Sequence, residues 1–158
     1  MNGEIYRENV AAIIINKDKK VLMCEHAWID GAWQFPQGGV DNGESEEEAL
    51  LRELYEEIGT KNLKIIGKMD EKISYKFPYY LREKYQFDGQ EQRFFLLYFY
   101  GDDSEIRFDI QPKPEFKAYE WVDYDTPPLK VIYFKKLSYL KALNYFREKV
   151  NEVDTLKI

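Results

Sequence analysis

The chain has very few of the residues that build covalent or zinc-bound frameworks. Among its 158 residues there is one cysteine, Cys24, and one histidine, His26. A single cysteine excludes an internal disulfide framework, which favours a reducing compartment. One cysteine and one histidine are too few for a Cys/His zinc site, and no residue set indicates a Ser-His-Asp triad. We interpret Cys24 as a packed strand residue and His26 as a surface or pocket-rim residue.

Long apolar runs are also missing. The longest run, residues 94–100, has the length of a strand and is far shorter than the roughly 20 residues needed to cross a bilayer. Residues 1–7 carry charges and contain no apolar stretch of signal-peptide length. We therefore expect a cytoplasmic protein that has no membrane partner.

The composition is that of a folded protein with an uneven charge distribution. Hydrophobic residues make up 44% and charged residues 33% of the chain, so residues 1–158 are predicted to form one globular domain. The net charge is −6, but residues 41–57 alone carry −7, which leaves +1 elsewhere. A general nucleic-acid binder needs a basic face, so no DNA partner is expected. Bound cations would explain the acidic segment.

The hydrophobic pattern predicts strands alternating with two helices. The predicted strands are residues 10–15, 21–24, 33–35, 63–66, 73–75, 93–100 and 115–122. One helix begins at Ser45 with a capping box to Glu48 and ends at Gly59. The other covers about residues 134–149, after a break at Pro127-Pro128. Residues 38–43 and 76–90 are interpreted as loops.

Three glutamates on the first helix indicate a cation site. At roughly 100° per residue, Glu56 and Glu57 lie about 60° and 40° on either side of Glu53. Like charges at this spacing destabilise a helix by roughly 0.2–0.5 kcal/mol per pair, and only Arg52 is locally available to offset them. Mg²⁺ prefers such oxygen ligands and can be completed by substrate phosphates. The alternative is a solvated acidic helix face.

The spacing of these residues resembles a known family motif. Residues 38–60 follow the Nudix box, G-x5-E-x7-R-E-U-x-E-E-x-G-U, where U is a bulky aliphatic residue. Every fixed position matches, and only Thr60 departs, standing where an aliphatic residue is expected. We expect this departure to weaken local packing slightly without touching a metal ligand.

Membership of the Nudix hydrolase family would imply the fold and the metal site. The resemblance implies an α/β fold, a Nudix-like α/β/α sandwich with a mixed β-sheet. It implies Mg²⁺, with Mn²⁺ as a possible substitute, bound by Glu53, Glu56 and Glu57. Either Glu53 or Glu57 is the candidate general base, and Arg52 would orient the glutamates. A backbone carbonyl of Gly38 is a further candidate metal ligand, whereas Glu44 is interpreted as a bracing residue.

Segments outside the box resemble one branch of the family. Residues 6–10, 33–39, 114–116 and 121–122 are similar to bacterial RNA 5′-pyrophosphohydrolases and to asymmetric diadenosine tetraphosphate hydrolases. This resemblance implies hydrolysis of 5′-phosphorylated RNA or of a dinucleoside polyphosphate, and it does not separate the two. A non-catalytic nucleotide- or RNA-binding module is a third hypothesis. The intact glutamate cluster argues against it.

The same branch suggests which residues contact the substrate. Glu115 is a candidate fourth carboxylate for the metal or water, and Phe134 is a candidate base-stacking residue. The branch often carries arginine near Ala27, which is absent here. Arg7 could contact phosphate or form a surface ion pair, and the glutamines could face substrate or satisfy loop amides. The candidate substrate-binding residues are Arg7, Gln34, Gln37, Tyr75, Lys76, Arg93, Phe134 and Lys135.

Overall fold

The computed structural model describes residues 3–158, which contain eight strands and four α-helices. The strands are β1 (Tyr6–Ile15), β2 (Val21–His26), β3 (Trp33–Gln34), β4 (Gln37–Gly39), β5 (Leu63–Lys68), β6 (Ile73–Lys76), β7 (Gly89–Phe99) and β8 (Phe116–Val122). The α-helices are α1 (Glu46–Ile58), α2 (Tyr79–Tyr85), α3 (Pro127–Lys130) and α4 (Lys136–Glu152). None of the helices in this described range has the length and apolar character of a membrane span.

The strands form one mixed sheet, as predicted. Its central pair is β1 and β7, which run parallel in register from Tyr6 opposite Gly89 to Ile15 opposite Tyr98. The main path is β3-β2-β1-β7-β5, and β4, β6 and β8 pair with β1, β7 and β2 respectively. Every pair other than β1 with β7 is antiparallel. The parallel pair therefore lies in the middle of the sheet, with antiparallel strands on both sides of it.

Two apolar cores lie on opposite faces of this sheet. Along β1, alternate side chains enter different cores because successive residues of a strand point to opposite faces. Val10, Ala12 and Ile14 pack in the core that includes α1. Ala11, Ile13 and Ile15 pack in the core that includes α4. The result is the predicted α/β/α arrangement, with the sheet between two helical layers.

Local sequence determines where α1 begins and ends. The Ser45 side chain accepts a hydrogen bond from the Glu48 amide at 3.1 Å, and the Glu48 carboxylate accepts one from the Ser45 amide at 3.0 Å. This confirms the predicted capping box. Gly59 ends the helix in the left-handed conformation at φ 78°, which glycine adopts without steric cost.

The structure corrects several predicted boundaries. Residues 76–90 are not simply a loop, because they contain α2 and the start of β7. No residue of α2 is buried, so this helix lacks the apolar stripe that predicts a helix from sequence. Pro127-Pro128 begins the short helix α3, consistent with proline in a first helical turn. The Gly38-Gly39 segment, interpreted as a loop, is part of strand β4.

Thr60 is better accommodated than its departure from the box suggested. The residue is buried, and its hydroxyl donates to the Glu105 carboxylate at 2.9 Å. The same oxygen accepts a hydrogen bond from the Asn62 amide at 3.0 Å. The polar side chain therefore has its own partners where an aliphatic residue was expected.

A contact from α4 fixes the segment that leads into β4. The rings of Phe35 and Tyr139 are stacked, with centroids 4.1 Å apart and 13° between planes. The buried Tyr139 hydroxyl accepts a hydrogen bond from the Phe35 amide at 2.9 Å. Burying an amide without a partner is unfavourable, so this hydroxyl holds the backbone just before Pro36 in place.

Replacing Tyr139 with phenylalanine should destabilise the protein. The Tyr139→Phe substitution keeps the ring but leaves the Phe35 amide buried without an acceptor, at a cost of about 1–3 kcal/mol. The matched control is Tyr145→Phe on the same helix, where the side chain is 46% exposed and little change is expected. Urea unfolding measures both, and equal stabilities for the two variants would contradict the assigned role.

Candidate active site

The guanidinium of Arg52 joins the acidic residues of α1 to the loop before it and to β4. It donates to both oxygens of Glu44, at 2.6 and 2.9 Å, and to Glu53 at 3.0 Å. It also reaches the Gly39 carbonyl at 3.1 Å and Glu56 at 3.4 Å. This two-point contact with Glu44 is the arrangement typical of strong arginine–carboxylate pairs. Glu44 is thus a bracing residue in the structure, as interpreted from the sequence.

This pairing shifts the titration of Glu44. The hydrogen bonds from Arg52, together with one from the Asp41 amide, lower the pKa of Glu44 to about 2. The carboxylate therefore stays ionised and paired with Arg52 across the range in which most proteins are folded.

Gly38 allows Glu53 to lie against the backbone of β4. A Cβ atom placed on Gly38 would lie 2.1 Å from Cδ of Glu53, closer than non-bonded atoms can approach. Any other residue at this position would have to displace the Glu53 carboxylate. The glycine of the motif is thus required by the close packing between strand and helix.

Glu57 is the most deeply buried member of the glutamate cluster. Burial raises its pKa well above the ordinary value, and the nearby charges of Glu53 and Glu115 raise it further. Its Oε2 atom is buried without a hydrogen-bond partner among the described residues. Burial likewise raises the pKa of Glu53, although the hydrogen bond from Arg52 opposes that effect.

The donor set fits a hard divalent cation. Carboxylates buried beside one another are unfavourable unless positive charge compensates them, and carboxylate oxygens are the preferred ligands of Mg²⁺ and Mn²⁺. In the described range, no three acidic, histidine or cysteine side chains form a ready-made ion-binding group. Arg52 pairs with carboxylate oxygens of Glu53 and Glu56, at 3.0 and 3.4 Å. The unpartnered oxygen of Glu57 is the atom that most needs a positive ligand.

A cavity of about 310 Å³ opens near these carboxylates. Part of its lining is polar and can donate hydrogen bonds, and the rest is mainly aromatic and apolar. The lining residues are Arg7, His26, Gln34, Gln37, Tyr75, Phe77, Leu81, Tyr85, Phe87, Gln90, Glu115, Phe134 and Lys135. Such a combination suits a ligand that carries both anionic groups and an aromatic ring.

Most of the residues predicted to contact substrate meet in this cavity. Those that line it are Arg7, Gln34, Gln37, Tyr75, Phe134 and Lys135, together with Glu115. Lys76 does not line it, because Lys76 follows Tyr75 on β6 and pairs with Glu4 at 3.0 Å. Arg93 is also outside, where it pairs with Glu46 at 3.1 Å and donates to the Met69 carbonyl.

Lys135 is an unusual cation because it is buried. It is only 8% exposed, and burial lowers its pKa to about 8, partly opposed by the charge of Glu115. Its ammonium group lies 5.9 Å from the centroid of the Tyr75 ring. A buried, weakly hydrated ammonium interacts strongly with an anion that displaces the remaining water.

Several lining residues were not identified from the sequence. Phe77, Leu81 and Phe87 belong to the region interpreted as a loop, and Gln90 lies at the start of β7. The available signal was the alternation of Gln90 and Gln92 before the apolar part of that strand. These polar residues did not extend the apolar pattern, so the strand was predicted to begin later.

Comparison with known proteins identifies close relatives across most of the chain. The protein is 44% identical over 150 residues to an RNA pyrophosphohydrolase of Sulfurovum sp. (strain NBC37-1), a match covering 92% of this chain and 95% of the relative. It is 41% identical over 148 residues to an RNA pyrophosphohydrolase of Helicobacter pylori (strain G27), covering 90% and 94%.

Solved structures share the fold at lower sequence identity. The E. coli dihydroneopterin triphosphate pyrophosphohydrolase superposes with a TM-score of 0.70 at 22% identity, covering 92% of this chain and 99% of that one. A C. elegans Ap4A hydrolase complex gives a TM-score of 0.66 at 19% identity, covering 90% and 98%. The NUDIX domain family itself matches residues 5–143. Since that match takes in the glutamate helix, the sheet and the first part of α4, the chain belongs to the NUDIX family.

Proposed function

We propose that this protein is an RNA 5′-pyrophosphohydrolase, which hydrolyses the 5′-triphosphate or 5′-diphosphate end of RNA to a 5′-monophosphate. The observation that carries the proposal is the position of the cavity. Its lining combines cationic, amide and aromatic side chains near the glutamates of α1. The identity of 41–44% to RNA pyrophosphohydrolases over at least 90% of this chain supports the same activity.

The cation is proposed to be Mg²⁺, for which Mn²⁺ can substitute. Glu53, Glu56 and Glu57 would bind it, with the Gly38 carbonyl and Glu115 as further ligands. When bound, such a cation neutralises phosphate charge and lowers the pKa of a coordinated water. Arg52 keeps the glutamates in place, and the carboxylate of Glu53 or Glu57 accepts the proton of the attacking water.

The cavity would bind the phosphate chain and a base. Arg7 and Lys135 supply positive charge, while Gln34 and Gln37 supply hydrogen-bonding amides. Phe134 lies against Tyr75 with ring centroids 5.8 Å apart, so an aromatic face is available for stacking. Contact of Lys76 and Arg93 with the substrate stays a prediction. Both side chains form ion pairs outside the cavity, which gives no support for such a contact.

The glutamate cluster can be tested by a conservative substitution. Glu53→Gln should lower kcat by about 10²–10⁴-fold because it removes a charge from the reacting centre. The matched control is Glu47→Gln on the same helix, where the side chain is 48% exposed and pairs with Lys68. Hydrolysis of 5′-labelled triphosphate RNA measures both. Background hydrolysis alone in both wild type and Glu53→Gln would favour a non-catalytic binding module, whereas equal measurable rates would contradict the role of Glu53.

The choice of substrate is tested separately. The wild-type protein should hydrolyse 5′-triphosphate RNA with a higher kcat/KM than diadenosine tetraphosphate under identical Mg²⁺ concentrations. The measurement compares both substrates in one preparation, with Glu53→Gln as the background control. A preference for the dinucleotide by orders of magnitude would replace the RNA assignment with a dinucleoside polyphosphate hydrolase.

Lys135 should give the reaction an alkaline limit. Its charge is present below its pKa of about 8 and is lost above it, so kcat/KM should fall as the pH rises through that region. Tyr75, Arg7, His26 and Glu115 face the same cavity. A Lys135→Arg variant keeps its charge to much higher pH.

The pH profiles of the two proteins distinguish this effect from others. The decline near pH 8 should be present in wild type and absent in Lys135→Arg, even if arginine lowers the overall rate. An unchanged decline in the variant would mean that another group titrates, and the assigned role of Lys135 would be wrong.

A further inference from the structure

Three amide side chains form a hydrogen-bonded network that reaches from the core to the cavity wall. Asn9 on β1 and Gln92 on β7 are 3% and 1% exposed, and they are opposite one another in the parallel register. The Gln92 Nε2 group donates to Asn9 Oδ1 at 2.8 Å and to Gln37 Oε1 at 2.8 Å. Gln37 lines the cavity, so the network connects the core of the sheet to the wall of the site.

This network determines how the Gln37 amide is turned. Its oxygen accepts the hydrogen bond from Gln92. The Gln37 NH₂ group is therefore the part of the amide that remains for a ligand. A carboxamide can present either a donor or an acceptor, depending only on a rotation of its terminal group. In this structure the Gln92 Nε2 group occupies the acceptor of Gln37, so the Gln37 NH₂ group is not used within the network.

Another glutamine of the cavity lining, Gln90, is oriented in the same way. The buried Tyr75 hydroxyl donates to Gln90 Oε1 at 2.6 Å. The oxygen of Gln90 is thus occupied, and its NH₂ group is left as a donor. Two independent contacts, one from an amide and one from a phenol, give the same result at two positions of the lining.

We propose that Gln92 and Tyr75 are positioning residues that turn the amides of Gln37 and Gln90 so that both present donors to the cavity. Together with Arg7 and Lys135, they make a surface of hydrogen-bond donors. Phosphate oxygens at neutral pH only accept hydrogen bonds, so such a surface selects a phosphate chain. The ligand class follows from the proposed function, whereas the orientation of the amides follows from the contacts alone.

The unsatisfied atoms of the network support this role. Asn9 Nδ2 and Gln92 Oε1 are buried without hydrogen-bond partners among the described residues. Unpaired polar atoms in a core are unfavourable, and apolar side chains of similar size would avoid that cost. A network with only a packing role would therefore be better replaced as a whole by apolar side chains. The contact that reaches from this network to the cavity wall is the one between Gln92 and Gln37.

A double-mutant cycle separates positioning from packing. Gln92→Met removes the donor while keeping the size, and it should raise the KM for triphosphate RNA about tenfold, as expected for a lost hydrogen bond to a charged group, with a smaller effect on kcat. Gln37→Ala should have a similar effect. If Gln92 acts through Gln37, the double variant should be no worse than Gln37→Ala alone. Additive losses, or an unchanged KM for Gln92→Met, would overturn the proposal.

Two further measurements keep the result unambiguous. The melting temperature of Gln92→Met should fall, since the substitution leaves the buried Asn9 Oδ1 atom without its donor, and the kinetic comparison is therefore made at a temperature at which the variant is fully folded. The cycle formed by Tyr75→Phe and Gln90→Ala tests the second amide, and it applies even if Gln92→Met fails to fold. Additive losses in that cycle would equally contradict the proposal.

Binding of inorganic tripolyphosphate separates this inference from the assignment of RNA as substrate. Calorimetry should show weaker tripolyphosphate binding for Gln92→Met than for wild type, with no further loss in the double variant. That pattern, in a protein that fails to hydrolyse RNA, would support the donor surface while refuting the proposed function. Equal binding by wild type and Gln92→Met would refute the donor surface itself.

Discussion

The contacts of Arg52 are the interaction on which the geometry of the site depends. Three carboxylates on one helix face repel one another, and two of them are partly withdrawn from water beside β4. A single guanidinium offsets this by pairing with Glu44, Glu53 and Glu56 and by bonding to the Gly39 carbonyl. Because one rigid, planar group makes all of these contacts, the helix, the preceding loop and the strand cannot move independently.

The apolar side of α1 determines which way those carboxylates point. Leu50, Leu54 and Ile58 are each 1% exposed and pack on the sheet, which fixes the rotation of the helix about its axis. Once that rotation is fixed, Glu53 can only lie beside Gly38, where no side chain intervenes. The apolar packing that stabilises the core therefore also sets the positions of the charged side chains on α1.

The sequence predicted those elements whose apolar or charged residues recur at helical or strand spacing. The α1 stripe, its capping box, the central strands and the glutamate face were all recognisable because each follows helical or strand spacing. Helix α2 was missed because none of its residues is buried, and the first residues of β7 were missed because they are polar. The pairing of Lys76 with Glu4 and of Arg93 with Glu46 could not be predicted, because it depends on which face of a strand meets which neighbour in space.

The buried amide side chains of the sheet lie where β1 and β7 meet the cavity. Elsewhere β1 and β7 bury apolar side chains on both faces, yet at their entry to the site the same strands carry Asn9, Gln90 and Gln92. These residues sit at the ends of strands whose apolar portions already hold the domain together, so their desolvation can be tolerated there. A sheet that is apolar in its centre and amide-bearing at one end gives a rigid frame for hydrogen-bond donors. That division explains how a small domain can present fixed polar groups to an anionic ligand while keeping two continuous cores.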